Sequence, residues 1–208
     1  MEIKDGIVYL INAQSIDVNQ IDSFINKHKL VKQQDKNNNF SNDKDRKLHL
    51  ISLFFIINYL ESNDISIEYL IFDSGHYLVN DGCHYFSISH KNNYVAFISN
   101  SNPIGIDIEI ISKTINIDIA KRYFSNLLQD LNSEKFLICW TKAESLLKCS
   151  GIPFSDACKT INYNVDSQSI DNMYYFKSIK YKNMLITTCY KHKTNDEYKV
   201  LELDYLPK

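Results

Sequence analysis

The chain has 208 residues, 44% of them hydrophobic and 23% charged, with a formal net charge of −2. That length supports one large domain or two small ones with a true core, and the composition excludes a disordered chain. The near-zero charge provides no global basic field for nucleic acid, and no uninterrupted apolar run exceeds five residues, far short of a membrane span.

The N-terminus, MEIKDGIVYL, lacks the basic region and long apolar core of a signal peptide, so a cytoplasmic location is expected. Five cysteines, odd in number and without a C-x-x-C pair, read as free thiols in a reducing compartment.

In chain order, Gly6–Ile11 reads as a short strand. Asp17, with Gln20 three residues on, resembles a capping box opening a helix through Ile21, Phe24, Ile25 and His28. The polar stretch 30–39 reads as a loop. Ser41 or Asn42 caps a second helix to about Leu60, apolar nearly all round and therefore buried. A strand over Ile65–Phe72 and a Gly-containing loop follow. Tyr85–Ser89 and Tyr94–Ser99 then read as a hairpin turning through His90-Lys91-Asn92-Asn93.

From Pro103 a similar order begins again. Ile104–Ile110 is a strand, Ile119–Phe124 a short helix, and Ser133–Cys149 a longer helix stopped by Gly151 and Pro153. Strands follow over Thr160–Val165, Tyr174–Tyr181 and Met184–Tyr190, with Tyr198–Asp204 as a tail strand. The pattern predicts an α+β fold of two similar halves, 1–101 and 102–208, each a small antiparallel sheet packed on a long helix.

The strand Ile104–Ile110 alternates. Its isoleucines fill one face, while Gly105, Asp107 and Glu109 occupy the other, with the carboxylates roughly 6.5–7 Å apart. Two like charges that close suit a hard cation such as Mg²⁺, or a plain acidic face turned to water. On the long helix, Trp140, Glu144 and Lys148 are spaced by four and share a side. They form an ordinary helical ion pair, or a third carboxylate and a phosphate-binding ammonium if that side meets Asp107 and Glu109. Ser89-His90-Lys91 offers hydroxyl, imidazole and ammonium donors for an anion. Arg46 opens the buried helix, where its charge opposes the dipole unless an anion, or Asp43 or Asp45, offsets it.

Taken in order, FSISH (86–90), PIGIDIE (103–109) and WTKAESLLKCSG (140–151) resemble the motifs of the 4′-phosphopantetheinyl transferases. The likeness is to the large, single-chain, surfactin-synthetase-activating type. DKDR (43–46) resembles the family's D-x-x-R, and IAKRYFS (119–125) also fits.

The resemblance implies a pseudo-two-fold pair of α/β halves working as a monomer, with the site between the halves. It implies transfer of 4′-phosphopantetheine from coenzyme A to a serine of an acyl, peptidyl or polyketide carrier protein, releasing adenosine 3′,5′-bisphosphate. Asp107, Glu109 and Glu144 would bind Mg²⁺, or Mn²⁺ in its place. Glu144 or a metal-bound water would help deprotonate the serine. Lys148, Ser89 and His90 would hold phosphates, Arg46 would meet the 3′-phosphate, and Gly75 would lie in the adenine loop. Lys121-Arg122 is a candidate dock for the acidic helices of a carrier protein.

The chain also departs from the pattern. Ala143 stands where the family has lysine beside the glutamate, and Lys142, one step round the helix, points about 100° away. The adenine-loop G-K-P is Gly75-His76-Tyr77, the third residue of S-H-S is Lys91, and the basic pair before D-x-x-R falls among Lys29, Lys32 and Lys36. The Ala143 and His76 departures are the support for an alternative, a non-catalytic coenzyme A or carrier-protein binder. A metal-dependent phosphodiesterase would use the same acids.

Overall fold

The computed structural model describes residues 1–28, 40, 42–73, 76–111, 114, 116–125, 132–162, 164, 167–170, 172–193 and 199–205. It is an α+β structure of small sheets and helices, dividing into two units: Met1–Ser101 with Lys199–Lys208, and Asn102–Tyr198. None of the described helices is long and apolar enough to cross a membrane.

In the first unit, β1 (Ile7–Asn12) lies between β10 (Lys199–Leu203) and β5 (Tyr94–Asn100), with β4 (Tyr85–Lys91) at the far edge. β10 runs parallel to β1, Ile7 opposite Lys199, whereas the other pairings are antiparallel. Helix α1 (Val18–Lys27) starts where the Asp17 side chain accepts from the Asn19 N–H. Helix α2 (Asp43–Ser62) starts where Asn42 accepts from the Asp45 N–H.

With no glycine or proline to interrupt it, α2 runs for 20 residues, and every residue from Leu50 to Leu60 is buried. It can be apolar on all sides because the sheet covers one of them. Phe55 stacks on Phe97 of β5 at 5.3 Å, and Tyr59 meets the same ring at 5.9 Å.

Three local readings change. The strand expected over Ile65–Phe72 begins only at Leu70, because the Ser66 hydroxyl accepts from the Glu68 N–H and winds Ile67–Tyr69 into a 3-10 turn. The expected loop after it returns as β3 (His76–Val79), which pairs with β2 (Leu70–Asp73). The hairpin turn is shorter than expected: only Asn92 and Asn93 lie outside the ladder, with Asn92 at φ 54°, so His90 and Lys91 belong to β4.

The second unit has the sheet order β6-β9-β8-β7, all antiparallel, built from β6 (Ile104–Ile110), β7 (Ser167–Ile170), β8 (Asn172–Tyr181) and β9 (Met184–Tyr190). Helix α3 (Ile117–Tyr123) is capped by Asn116 and α4 (Ser133–Ser150) by Asn132. Gly151 ends α4 in the left-handed region at φ 74°, its N–H returning to Leu147 O.

Pro153 does more than stop that helix. Its φ of −58° also suits a helix start, and α5 (Phe154–Thr160) follows, burying Ala157 and Cys158. The strand expected from Thr160 is therefore absent at its first residues: Thr160 closes a helix, and Ile161 and Asn162 lie outside any strand.

Candidate active site

Along β6, Gly105, Asp107 and Glu109 face the same way, opposed on β9 by Cys189, Thr187 and Leu185. This face is covered by α4 rather than open to water. Gly105 makes the close approach possible: a Cβ there would stand 1.9 Å from Ser145 O and 2.8 Å from Cys149 N, both backbone atoms that cannot swing aside.

Two turns of helix from Thr141, Lys148 reaches back under α4, and its Nζ lies 3.0 Å from Asp107 Oδ1 and 2.9 Å from Ile106 O. The side chains of Asp107 and Lys148 are only 8% and 15% exposed, so each charge is held by the other in a largely dry setting. The two sequence segments singled out for chemistry thus meet in one ion pair.

Glu109 follows Asp107 on the same face, half-buried, and Glu144 is half-buried on α4 one turn before Lys148. Glu144 acts on its surroundings: the Cys158 thiol is pushed up to about 12, by burial first and by the Glu144 charge second. Among the described residues, no group of three or more His, Cys, Asp and Glu side chains is gathered as a metal site. The donor chemistry of Asp107, Glu109 and Glu144, three carboxylates on two packed elements, does fit a hard divalent cation. Of the Asp107 carboxylate, Oδ1 is turned onto the Lys148 ammonium.

Trp140 is engaged elsewhere. Its ring packs 4.9 Å from Phe154, 5.9 Å from Phe136 and 6.3 Å from Tyr123. Ala143 is fully buried in the same core, and Lys142 is buried with its ammonium 5.5 Å from the centre of the Phe176 ring.

In the first unit, Ser89 is buried and His90 exposed, on successive positions of β4. Arg46, exposed in the first turn of α2, takes neither Asp43 nor Asp45. Its Nη2 lies 2.9 and 2.7 Å from the two carboxylate oxygens of Asp22 on α1, a partner that sequence spacing could not reveal. Gly75, Lys29, Lys32 and Lys36 fall outside the described residues. Arg122 borders a cavity of about 450 Å³ with Tyr123, Ser125, Ser155 and Lys159.

No protein-family model matches the chain. Curated relatives do. The 4′-phosphopantetheinyl transferase Sfp of Bacillus subtilis (strain 168) is 40% identical over 75 residues, 32% of this chain and 33% of the relative. The 4′-phosphopantetheinyl transferase gsp of Aneurinibacillus migulanus is 32% identical over 124 residues, 54% of this chain and 52% of the relative. That of Bacillus pumilus, psf-1, is 34% identical over 91 residues, covering 40% and 36%.

Over these stretches the chain is similar to 4′-phosphopantetheinyl transferases. Its matches span from a third to about half the length of these members of the superfamily.

Sequence reading of this site missed two groups. The hydroxyls of Thr141, Thr187 and Ser178 bond to one another beneath and beside α4, and Asp22 holds Arg46. Both depend on how separate elements pack, and neither leaves a periodic trace.

Proposed function

We propose that the chain transfers the 4′-phosphopantetheine group of coenzyme A to a serine hydroxyl of an acyl, peptidyl or polyketide carrier protein. The serine oxygen bonds to the phosphorus bearing the pantetheine arm, the pyrophosphate P–O bond breaks, and adenosine 3′,5′-bisphosphate leaves with the electron pair. The observation that carries this reading is the ion pair of Lys148 with Asp107. It joins two separate motifs of the family, as a site handling a pyrophosphate requires of its charged groups.

In this reading Asp107, Glu109 and Glu144 hold Mg²⁺, or Mn²⁺, and the cation supplies neutralisation of pyrophosphate charge. Glu144 accepts the serine proton. Lys148 gives up Asp107 and meets phosphate oxygen, with Ser89 and His90 as further phosphate donors. Arg46 meets the ribose 3′-phosphate, exchanging its Asp22 partner for it. Gly75 belongs to the adenine loop, and Lys121 and Arg122 meet the acidic helices of the carrier protein.

The full proposal includes a pseudo-two-fold pair of α/β halves acting as a monomer in the cytoplasm. The repeat is supported by two hairpins of the same design: β4–β5 and β8–β9 each turn through two residues, the first at φ 54° (Asn92) or 53° (Lys182).

The test is a mass shift of carrier proteins of fatty-acid, polyketide and peptide type incubated with the chain, coenzyme A and Mg²⁺. The expected result is addition of one phosphopantetheine to at least one of them, lost in Glu144→Gln. Binding of coenzyme A with no modification of any carrier would overturn the transferase reading.

A further inference from the structure

The face of the second sheet that carries Asp107 is held to α4 by hydroxyls as well as by charge. Asp107 and Thr187 are directly opposed between β6 and β9, so their side chains leave the sheet on the same side, about 5 Å apart at Cβ. Thr187 Oγ1 lies 2.8 Å from Thr141 Oγ1 on α4 and 2.9 Å from Ser178 Oγ on β8. Thr141 Oγ1 also lies 3.3 Å from Ile138 O, one turn back along the helix.

Each hydroxyl has one proton to give. A single direction therefore satisfies every link: Ser178 donates to Thr187, Thr187 to Thr141, and Thr141 to the helix carbonyl. Ser178 is exposed, whereas Thr141 and Thr187 have no exposed surface at all.

A valine would fill the space of Thr187 equally well. What the threonine adds is a directional contact between strand and helix, and buried hydroxyls are costly unless bonded. Sliding α4 by one residue moves Thr141 by about 1.5 Å and breaks the 2.8 Å contact. Lys148 stands seven residues on from Thr141, two turns along the same side, with Glu144 between them. The hydroxyl contact thus sets the register of the helix that carries both charged groups.

We infer that Thr187 is a positioning residue: bonded to Thr141, it fixes α4 against β6 and so places Glu144 and Lys148 relative to Asp107. The inference rests on the transferase reading above.

The test measures steady-state transfer to a carrier protein by the full chain and by Thr187→Val, Thr187→Ser, Thr141→Val and the double valine variant, with thermal unfolding of each. Misplacing reacting groups by about 1 Å can cost up to roughly 10²-fold in rate, so Thr187→Val is expected to lower kcat roughly tenfold. KM for coenzyme A is expected to rise as well, because Lys148, which the register places, meets its phosphate in the transferase reading. Thr187→Ser keeps the hydroxyl and restores kcat.

The double variant is expected to be no slower than Thr187→Val, since both single changes break one contact. A folded Thr187→Val protein with unchanged kcat overturns the inference, as does an additive double variant. If Thr187→Val does not fold, Thr141→Val carries the same comparison. A native chain that modifies no carrier overturns the transferase reading itself, and that result is seen before any variant is made.

Discussion

Asp107 and Lys148 illustrate how one contact serves both stability and chemistry. Removing the carboxylate strands an ammonium that is 15% exposed, with Ile106 O, 2.9 Å away, as its remaining acceptor. Breaking a buried pair by removing one partner costs about 3–5 kcal/mol, and the retained carbonyl bond brings the expectation for Asp107→Ala to about 2–3 kcal/mol. Urea denaturation measures it, and Asp107→Ala/Lys148→Met is expected to recover part of the loss.

A second carboxylate sets an acid limit. Burial raises the Asp81 pKa, but the N–H groups of Cys83 and His84, each 2.9 Å away, and the His84 ring at 2.6 Å outweigh that and hold it below the usual range. A folded pKa lower than the unfolded one contributes stability above the unfolded value near 3.9. That contribution is lost as pH falls through the lower folded value. Asp81→Asn is expected to flatten the stability–pH curve below about pH 4, read by chemical denaturation across pH.

The cysteines offer a simpler check. Cys83 is exposed and the other four are buried, so a thiol reagent is expected to label one site quickly and all five after unfolding. Cys83→Ser is expected to remove the fast phase.

Among the elements, β6 and α4 depend on each other through Gly105. Gly105→Ala forces a methyl against the backbone of Ser145 and Cys149, and the helix must move outward. Overpacking of this kind costs about 1–3 kcal/mol, and here the obstacle is backbone, so the upper end is expected in urea denaturation.

The same pair of elements shows how far a sequence can be read. The alternation of Ile104 to Ile110 and the four-residue spacing of Trp140, Glu144 and Lys148 are intrinsic to one element each, and β6 spans the predicted residues. That the acidic face lies under a helix is not intrinsic, because only the absent Cβ of Gly105 allows it. Trp140 likewise looked like a member of the charged site, yet its partners are Phe136, Tyr123 and Phe154. Pro153 was legible as a stop but not as a start, since its fixed φ serves both. β3 was hidden by a run of only four residues and takes its place from pairing with β2.

At the scale of the molecule, the two units are built differently in sequence. The second is a continuous stretch, Asn102–Tyr198, and contains Trp140, the chain's single tryptophan. Tryptophan fluorescence therefore reports on that unit alone. The first unit is completed by Lys199–Lys208, and Ile7 finds its parallel partner at Lys199, 199 − 7 = 192 positions later.

Closing so long a loop costs only about 1.6 kcal/mol more than closing one of about 30 residues, because the entropy grows with the logarithm of length. The consequence is one of timing. On the ribosome, β1 waits with one edge unpaired until every strand of the second unit has been synthesised. During that interval an open edge flanked by Val8, Leu10 and Ile11 is available to other nascent chains. Delayed closure of its last strand makes the first unit, rather than the unit bearing Asp107, the one whose yield depends on how fast the chain is made.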